Sequence, residues 1–355
     1  MLTLIMDENF AGIAEIAKLA KVSTSVISNW RKRDQNFPVP ISVLQSGPVF
    51  EINQIKKYLK RRNVQMATVI ACINLKGGVG KTTTTIALAE FLTAEENKKV
   101  LVIDLDPQTN ATTLLIGEEK WKELNRHGNT IATLFKDAFD PDNPKFELHR
   151  TLQKGVSNVS EARDLDLLPS SLDLIEIQDT IAGAPLGKFY AQNPIDILRR
   201  GIREIREDYD YILIDCPPNL GIITLNGLRI ANGYVIPTIP DYLSTYGISQ
   251  IYTRVSQFSD TIVEPILPLG VIANMYREQS TVHKNVLKQL SRDKNIPLFK
   301  TTIPMGNKIS EAADVTVNYQ RTIKQKYGGT QFYPLYKQLT EELLTKIENE
   351  ILVNT

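Results

Sequence analysis

Residues 74–85 read NLKGGVGKTTTT, and an apolar stretch, ATVIACI, runs into them. Glycines at 77, 78 and 80 let the backbone bend until several N–H groups converge on one anion. A helix starting directly behind them would add the positive end of its dipole. Lys81 can then reach the outer phosphates of a polyphosphate, and the Thr82 hydroxyl can ligate Mg²⁺. The chemistry on offer is phosphate binding with a cation alongside. The general pattern for such a loop, G-x-x-x-x-G-K-[ST], asks for glycine at 75. This chain has Leu75 there and a further lysine, Lys76, ahead of the glycines.

Two more segments carry acids where such a site needs them. KKVLVIDLDPQTNATTLL predicts a strand over Val100–Ile103 that runs out into Asp104, Leu105 and Asp106. DYDYILIDCPPNLGIITLNGL predicts a strand over Tyr211–Ile214 closed by Asp215, a Walker B arrangement in which the acid holds Mg²⁺ through water. Carboxylates at the carboxyl ends of parallel strands lie beside a ligand bound there. His127, His149 and His283 have no metal-ligand spacing. Cys72 and Cys216 each fall at a predicted strand, which suits buried thiols better than cluster ligands, and two cysteines exclude a disulfide framework.

The elements that must position these groups follow from periodicity. A β-branched run predicts a strand over Thr68–Ile73, and a helix is expected from near Lys81 with Ile86, Leu88, Ala89 and Leu92 on its buried side. Strands alternating with helices predict an α/β fold with a mostly parallel sheet flanked by helices, and the glycine loop with Lys81 and Thr82 makes a P-loop NTPase the expected form. The 355 residues, 42% hydrophobic and 23% charged, can build a large core. The net charge of +1 means any nucleic-acid surface must come from local clustering. The first residues lack a basic n-region and a small-residue cleavage site, so no secretory signal is expected, and a reducing cytoplasm fits the cysteine usage. The final segment, PLYKQLTEELLTKIENEILVNT, is amphipathic with an acidic polar face, so it is expected to pack on protein and not on membrane.

Residues 1–62 differ from the rest: ten basic and five acidic side chains give +5, leaving about −4 for residues 63–355. GIAEIAKLA places Ile13, Ile16, Ala17 and Ala20 at helical spacing, and KVS makes a turn with Ser23 at the N-cap of a second helix. Val26, Ile27 and Trp30 form that helix's inner face. FPVPISVLQSGPVFE reads as a β-ribbon, and INQIKKYLKRR as a basic helix. The sum resembles a small winged helix-turn-helix of the MerR or excisionase kind. Ser25, Ser28, Asn29 and Arg31 would then lie near base edges, with Lys32 and Arg33 near phosphates. Dimerisation is the rival use of such a module.

Over residues 66–320 the order KGGVGKTT, VLVIDLDPQTNATTLL, LDLLPSSLDL, YDYILIDCPPNLGIITLNGL, YVIPTIPDYLSTYGISQI resembles the ParA branch of the deviant-Walker ATPases. That resemblance implies ATP and Mg²⁺ as cofactors. Gly77, Gly78, Val79, Gly80, Lys81, Thr82 and Thr83 would bind the nucleotide, with Pro240, Asp241 and Tyr242 near the adenine. Thr82, Asp104 and Asp215 would hold or support the metal. Lys76, Lys81 and Asp106 would be catalytic: Lys76 reaches the partner's phosphates across a nucleotide-sandwich homodimer, and Asp106 positions the attacking water. Asn226 would be a dimer or sensor residue. Met305 stands where the family commonly has arginine.

The implied activity is a weak ATPase, stimulated by DNA and by a ParB-like centromere-binding protein, that segregates plasmid DNA from a cytoplasmic, nucleoid-associated position. Its ATP dimer would bind DNA without sequence preference. Lys284, Lys288 and Arg292, spaced i, i+4 and i+8, are candidates for that surface. Residues 1–62 would add operator binding and autorepression. Two alternatives stay open: the same switch positioning a protein cargo, and a transcription factor that binds ATP but hydrolyses little.

Overall fold

The computed structural model describes residues 10–20, 22–34, 37–44, 46–61, 67–183, 193–293, 295–306 and 321–352. They fall into two compact units, Met1–Ala67 with Glu204–Asp210, and Thr68–Arg203 with Tyr211–Asn354. The expected domain boundary at 62/63 lies outside the described residues.

In the smaller unit, strand β1 (Phe10–Gly12) leads into helices α1 (Ile13–Leu19) and α2 (Thr24–Arg33). Strands β2 (Ser42–Leu44) and β3 (Gly47–Glu51) and helix α3 (Ile52–Arg61) follow. The sheet is antiparallel in the order β1-β3-β2. Gly47, which opens β3 opposite Leu44, sits at φ +124°, a conformation that a side chain would oppose. Ile16, Ile27, Phe50, Ile55 and Leu59 are fully buried, and the Phe37 ring packs edge-on against Tyr58 at 4.8 Å and Phe50 at 5.4 Å. Strand β1 was not legible, because three residues carry no periodicity. Ser23 occupies the N-cap position but its hydroxyl meets Ser25 Oγ at 2.7 Å and caps no helical N–H.

The larger unit is a sheet of seven strands: β4 (Thr68–Cys72), β5 (Val100–Asp104), β6 (Leu165–Leu168), β7 (Tyr211–Asp215), β8 (Gly233–Thr238), β9 (Leu267–Tyr276) and β10 (Leu298–Pro304). Their order is β10-β9-β8-β4-β7-β5-β6, and every pairing is parallel. Strands β4, β5, β7 and β8 are buried at every residue, as continuous apolar runs in a sheet covered on both faces must be. Sequence order reverses beside β4, and the crevice at that switch point is where open parallel sheets bind ligands.

Helix α4 (Lys81–Ala94) starts at the glycine loop as expected but is buried nearly all round, not on one side. The C-terminal helix Tyr333–Lys346 supplies the second cover: Phe91 packs on Tyr333, Tyr336 and Tyr327 at 5.1–6.0 Å. This burial takes in Glu90, at 0% exposure. Its Oε1 accepts from Lys326 Nζ at 2.7 Å and Ser157 Oγ at 2.6 Å, and its Oε2 from Tyr327 OH at 2.8 Å. A buried carboxylate stripped of its cation costs about 3–5 kcal/mol. Lys326→Met should therefore destabilise the larger unit by about that amount, read from the midpoint of a denaturant titration. A shift within the range of neutral surface substitutions would show that Glu90 needs no counter-ion.

Candidate functional site

The loop between β4 and α4 turns twice through left-handed backbone, at Gly78 (φ +70°) and Gly80 (φ +85°). Gly77 and Gly78 have nothing within 4 Å of where a Cβ would stand, whereas a Cβ on Gly80 would lie 2.8 Å from Asn274 Nδ2. The openness at 77 and 78 suits backbone meeting a bulky anion. Val79 is buried and anchors the loop, and Thr83 is half-buried. Lys81 is 7% exposed, and its ammonium folds back to donate to Lys76 O at 3.0 Å.

Parallel pairing puts Cys72 of β4 opposite Asp215 of β7, and Asp215 opposite Asp104 of β5. The loop, Asp215 and Asp104 therefore share one edge. Thr82 Oγ1 donates to Asp215 Oδ2 at 2.7 Å. Thr85 Oγ1 lies 3.5 Å from Asp215 Oδ1. Among the described residues no three acids, histidines or cysteines form a metal cage. Mg²⁺ does not need one, since it commonly takes one or two protein oxygens with waters and substrate phosphates. The hydroxyl–carboxylate pair Thr82–Asp215 is a donor set of that kind.

Asp104, beside Asp215, is bonded to the loop that follows its own strand. Its Oδ1 accepts from Asp106 N at 3.0 Å, and its Oδ2 from Thr112 N at 2.9 Å and Thr112 Oγ1 at 2.7 Å. These bonds shape the loop that carries Asp106. Asp106 Oδ1 accepts from Gln108 N at 2.9 Å, and Ser170 Oγ donates to Asp106 O at 2.7 Å. Thr109, at φ +55°, takes a left-handed conformation that β-branched residues avoid, so this loop is held by its bonds against local strain.

Electrostatics binds the three acids together. Burial raises the Asp104 carboxyl to about 7, against the hydrogen bonds from Thr112 and Asp106. Burial raises Asp106 as well. Asp215 is pushed well above the usual carboxylate value by burial and then by the charge of Asp104, with the Thr82 hydrogen bond opposing. Burial also drives the Cys72 thiol up to about 12, with Asp215 adding to it, and both cysteines are buried inert thiols.

Lys76 lies outside this cluster. Its ammonium is 2.8 and 3.1 Å from the two oxygens of Asp241, with a third of the lysine side chain exposed. Asp241 is also the N-cap of the helix Tyr242–Ile262, accepting from Ser244 N at 2.9 Å. Burial alone would raise the Asp241 carboxyl; the bonds from Lys76 and Ser244 outweigh it and hold it below the usual value. Pro240 is buried, while Tyr242 is 62% exposed. Asn226 has no free polar atom: Oδ1 accepts from Leu198 N, and Nδ2 donates to Pro194 O and Ile222 O. Asn274, Thr112 and Ser170 escaped the sequence reading. Thr112 and Ser170 stand inside segments that carry the resemblance, but nothing there singles them out, and only the fold brings them and Asn274 to the site.

The candidate nucleic-acid residues are distributed on both units. Ser25, Arg31 and Lys32 are exposed on α2, and Ser28 is tied back to Thr24 O at 2.9 Å. The side chains of Asn29 and Arg33 lie outside the described residues. Lys284 and Lys288 are exposed on the helix Thr281–Leu290. Arg292 does not extend that face: Ser291 closes the helix, its N–H bonded to Leu287 O and its hydroxyl to Lys288 O. Arg292 sits in the turn beyond.

A family model described as an AAA domain matches residues 67–267. The chain is 30% identical over 247 residues to the sporulation initiation inhibitor protein Soj of Bacillus subtilis, covering 70% of this chain and 88% of that one. It is 30% identical over 280 residues to the chromosome-partitioning ATPase Soj of Thermus thermophilus, covering 79% and 96%. Among solved structures, cobyrinic acid a,c-diamide synthase from Mycobacterium smegmatis with bound ADP and magnesium superposes with a TM-score of 0.59 at 25% identity, covering 80% of this chain and 96% of that one.

Two expectations follow from this geometry. Gly80→Ala combines an unfavourable φ with the clash on Asn274, so phosphate binding should weaken on the order of tenfold or more, a loss of about 1.4 kcal/mol per decade; unchanged affinity in a titration with a fluorescent nucleotide would show that the loop rearranges freely. The second concerns protons. Because its folded value is raised above its unfolded one, Asp104 favours folding least at high pH: its contribution falls as pH rises from about 4 through about 7. The carboxyl ¹³C resonance of Asp104 should titrate near neutrality, whereas an exposed aspartate titrates near 4.

Proposed function

The chain belongs to the ParA/Soj family of P-loop ATPases, and on that premise we propose that it is a partition ATPase whose ATP-bound form is a sandwich dimer completed by Lys76. It hydrolyses ATP, and its cofactors are ATP and Mg²⁺. One observation supports the dimer: Lys81 and Thr82 stand at the glycine loop beside Asp215, while Lys76 is a second cation, partly exposed and paired with Asp241. A cation that its own site does not use is available to the site of a second copy.

The steps divide among the residues as follows. The loop amides from Gly77 to Thr83 hold the phosphates, aided by the helix dipole of α4. Lys81 exchanges its bond to Lys76 O for the outer phosphates. Thr82 and Asp215 would hold Mg²⁺, which when bound would supply Lewis-acid stabilisation of phosphate charge. Asp104 keeps the Asp106 loop in place, and Asp106 orients the attacking water. Lys76 of each copy leaves Asp241 and offsets the charge that spreads over the transferred phosphoryl group.

In this reading the dimer binds DNA without sequence preference through Lys284, Lys288, Arg292 and neighbouring basic residues. A ParB-like partner accelerates hydrolysis and releases it, and the cargo is plasmid DNA. The smaller unit acts as a winged helix-turn-helix on operator DNA, with α2 as the reading helix; the exposure of Ser25, Arg31 and Lys32 supports this.

Lys76→Ala separates the proposal from its rivals. The wild type should shift from monomer to dimer on Mg·ATP in a sizing experiment, and turn over slowly. The variant should still bind ATP, yet lose turnover by about 100-fold, the scale of removing one transition-state donor. Wild-type turnover in Lys76→Ala would sink the sandwich dimer.

A further inference from the structure

We infer that Asn274 is a positioning residue of the nucleotide site: its carboxamide fixes the direction of the Gly80 and Lys81 amides before any phosphate arrives. This rests on reading the glycine loop as that site. Asn274 lies on β9, 195 residues from Val79 in sequence, yet its Nδ2 is 3.1 Å from Val79 O, 3.5 Å from Gly80 O and 2.9 Å from Thr84 Oγ1. In a trans peptide the C=O and the following N–H point in opposite directions. Holding Val79 O toward β9 therefore turns the Gly80 N–H away from β9, and the contact with Gly80 O does the same for Lys81 N–H. Gly80 O is already the first acceptor of α4, from Thr84 N at 2.9 Å, so Asn274 fastens the loop where the helix begins.

Two further observations set this side chain apart from a packing residue. Asn274 is 4% exposed, and its Oδ1 is buried with no hydrogen-bond partner. Leucine would fill a similar volume without that desolvation cost. The next residue, Met275, takes φ +50°, a left-handed conformation unusual for methionine. The strand thus accepts an unpaired carbonyl and a strained neighbour at the one place where its side chain touches the loop. Steric fit completes the contact: only glycine at 80 leaves room for Nδ2.

The test uses Asn274→Leu, which keeps bulk and removes the donor, and Asn274→Ser, too short to reach Val79 O. Melting without nucleotide establishes folding. In the folded free chain, the ¹⁵N–H resonances of Gly80 and Lys81 should shift in both variants, and the Kd for a fluorescent ATP analogue with Mg²⁺ should rise on the order of tenfold or more. Unmoved Gly80 and Lys81 resonances, or wild-type affinity in either folded variant, would overturn the inference. So would failure of both variants to fold, which would make Asn274 a residue of the core. A wild type that binds no nucleotide would instead overturn the reading of the site, while the amide shifts would still decide the role of Asn274.

Discussion

Three carboxylates at the carboxyl edge of adjacent strands set the terms for everything around them. Parallel pairing brings Asp104 opposite Asp215, both fully buried, and Asp106 follows two residues later. Left alone, such a group would neutralise itself by taking up protons. The fold answers with short hydroxyl donors. The threonine run after the lysine makes sense in these terms: Thr82 donates to Asp215, Thr84 meets Asn274, and Thr85 bonds Lys81 O and approaches Asp215. Threonine is a weak helix former, and four in succession at the start of α4 are tolerated because three of their side chains have partners off the helix face or in its first turn. The cluster is repulsive in the free chain, and a divalent cation beside it would relieve that repulsion.

The second lysine fits the same logic. Placed among the loop amides, Lys76 would join Lys81 in one positive pocket. It is instead held by Asp241, whose carboxylate would otherwise only cap a helix. The bond is solvent-accessible and therefore cheap to break, with surface ion pairs contributing about 0–1 kcal/mol. The cap itself does not depend on Lys76, because it is the Ser244 N–H that donates to Asp241. A cation that can leave without unravelling the helix behind it is suited to work elsewhere.

The strands, the loop and the acids were legible because each is a local pattern: apolar runs end in acids, and glycines precede Lys-Thr. Strand ends shifted by one residue, placing Asp104 and Asp215 inside β5 and β7 as their last residues. What sequence could not yield was non-local. Asn274 lies in an ordinary strand and becomes special only because β9 passes the loop. Asp241 read as a residue beside a nucleotide, and its grip on Lys76 depends on β8 lying next to β4. Helix α4 read as one-sided because its second cover comes from residues beyond 320. Arg292 read as helical because i+8 spacing does not register where a serine closes the helix.

That second cover matters to the chemistry. Loop amides can be aimed at phosphates only if the helix they belong to does not tilt when charge arrives at its end. Helix α4 is clamped on one side by the sheet and on the other by Tyr327, Tyr333 and Tyr336, with Glu90 bonded to three partners. A buried ion pair contributes little net stability over an apolar substitute, but it fixes register, because only one alignment satisfies it. At its first turn the same helix is fastened by Asn274. Helix α4 is thus held at both ends, and the glycine loop ahead of it, fixed on its other side to β4, has little freedom left to turn its amides elsewhere.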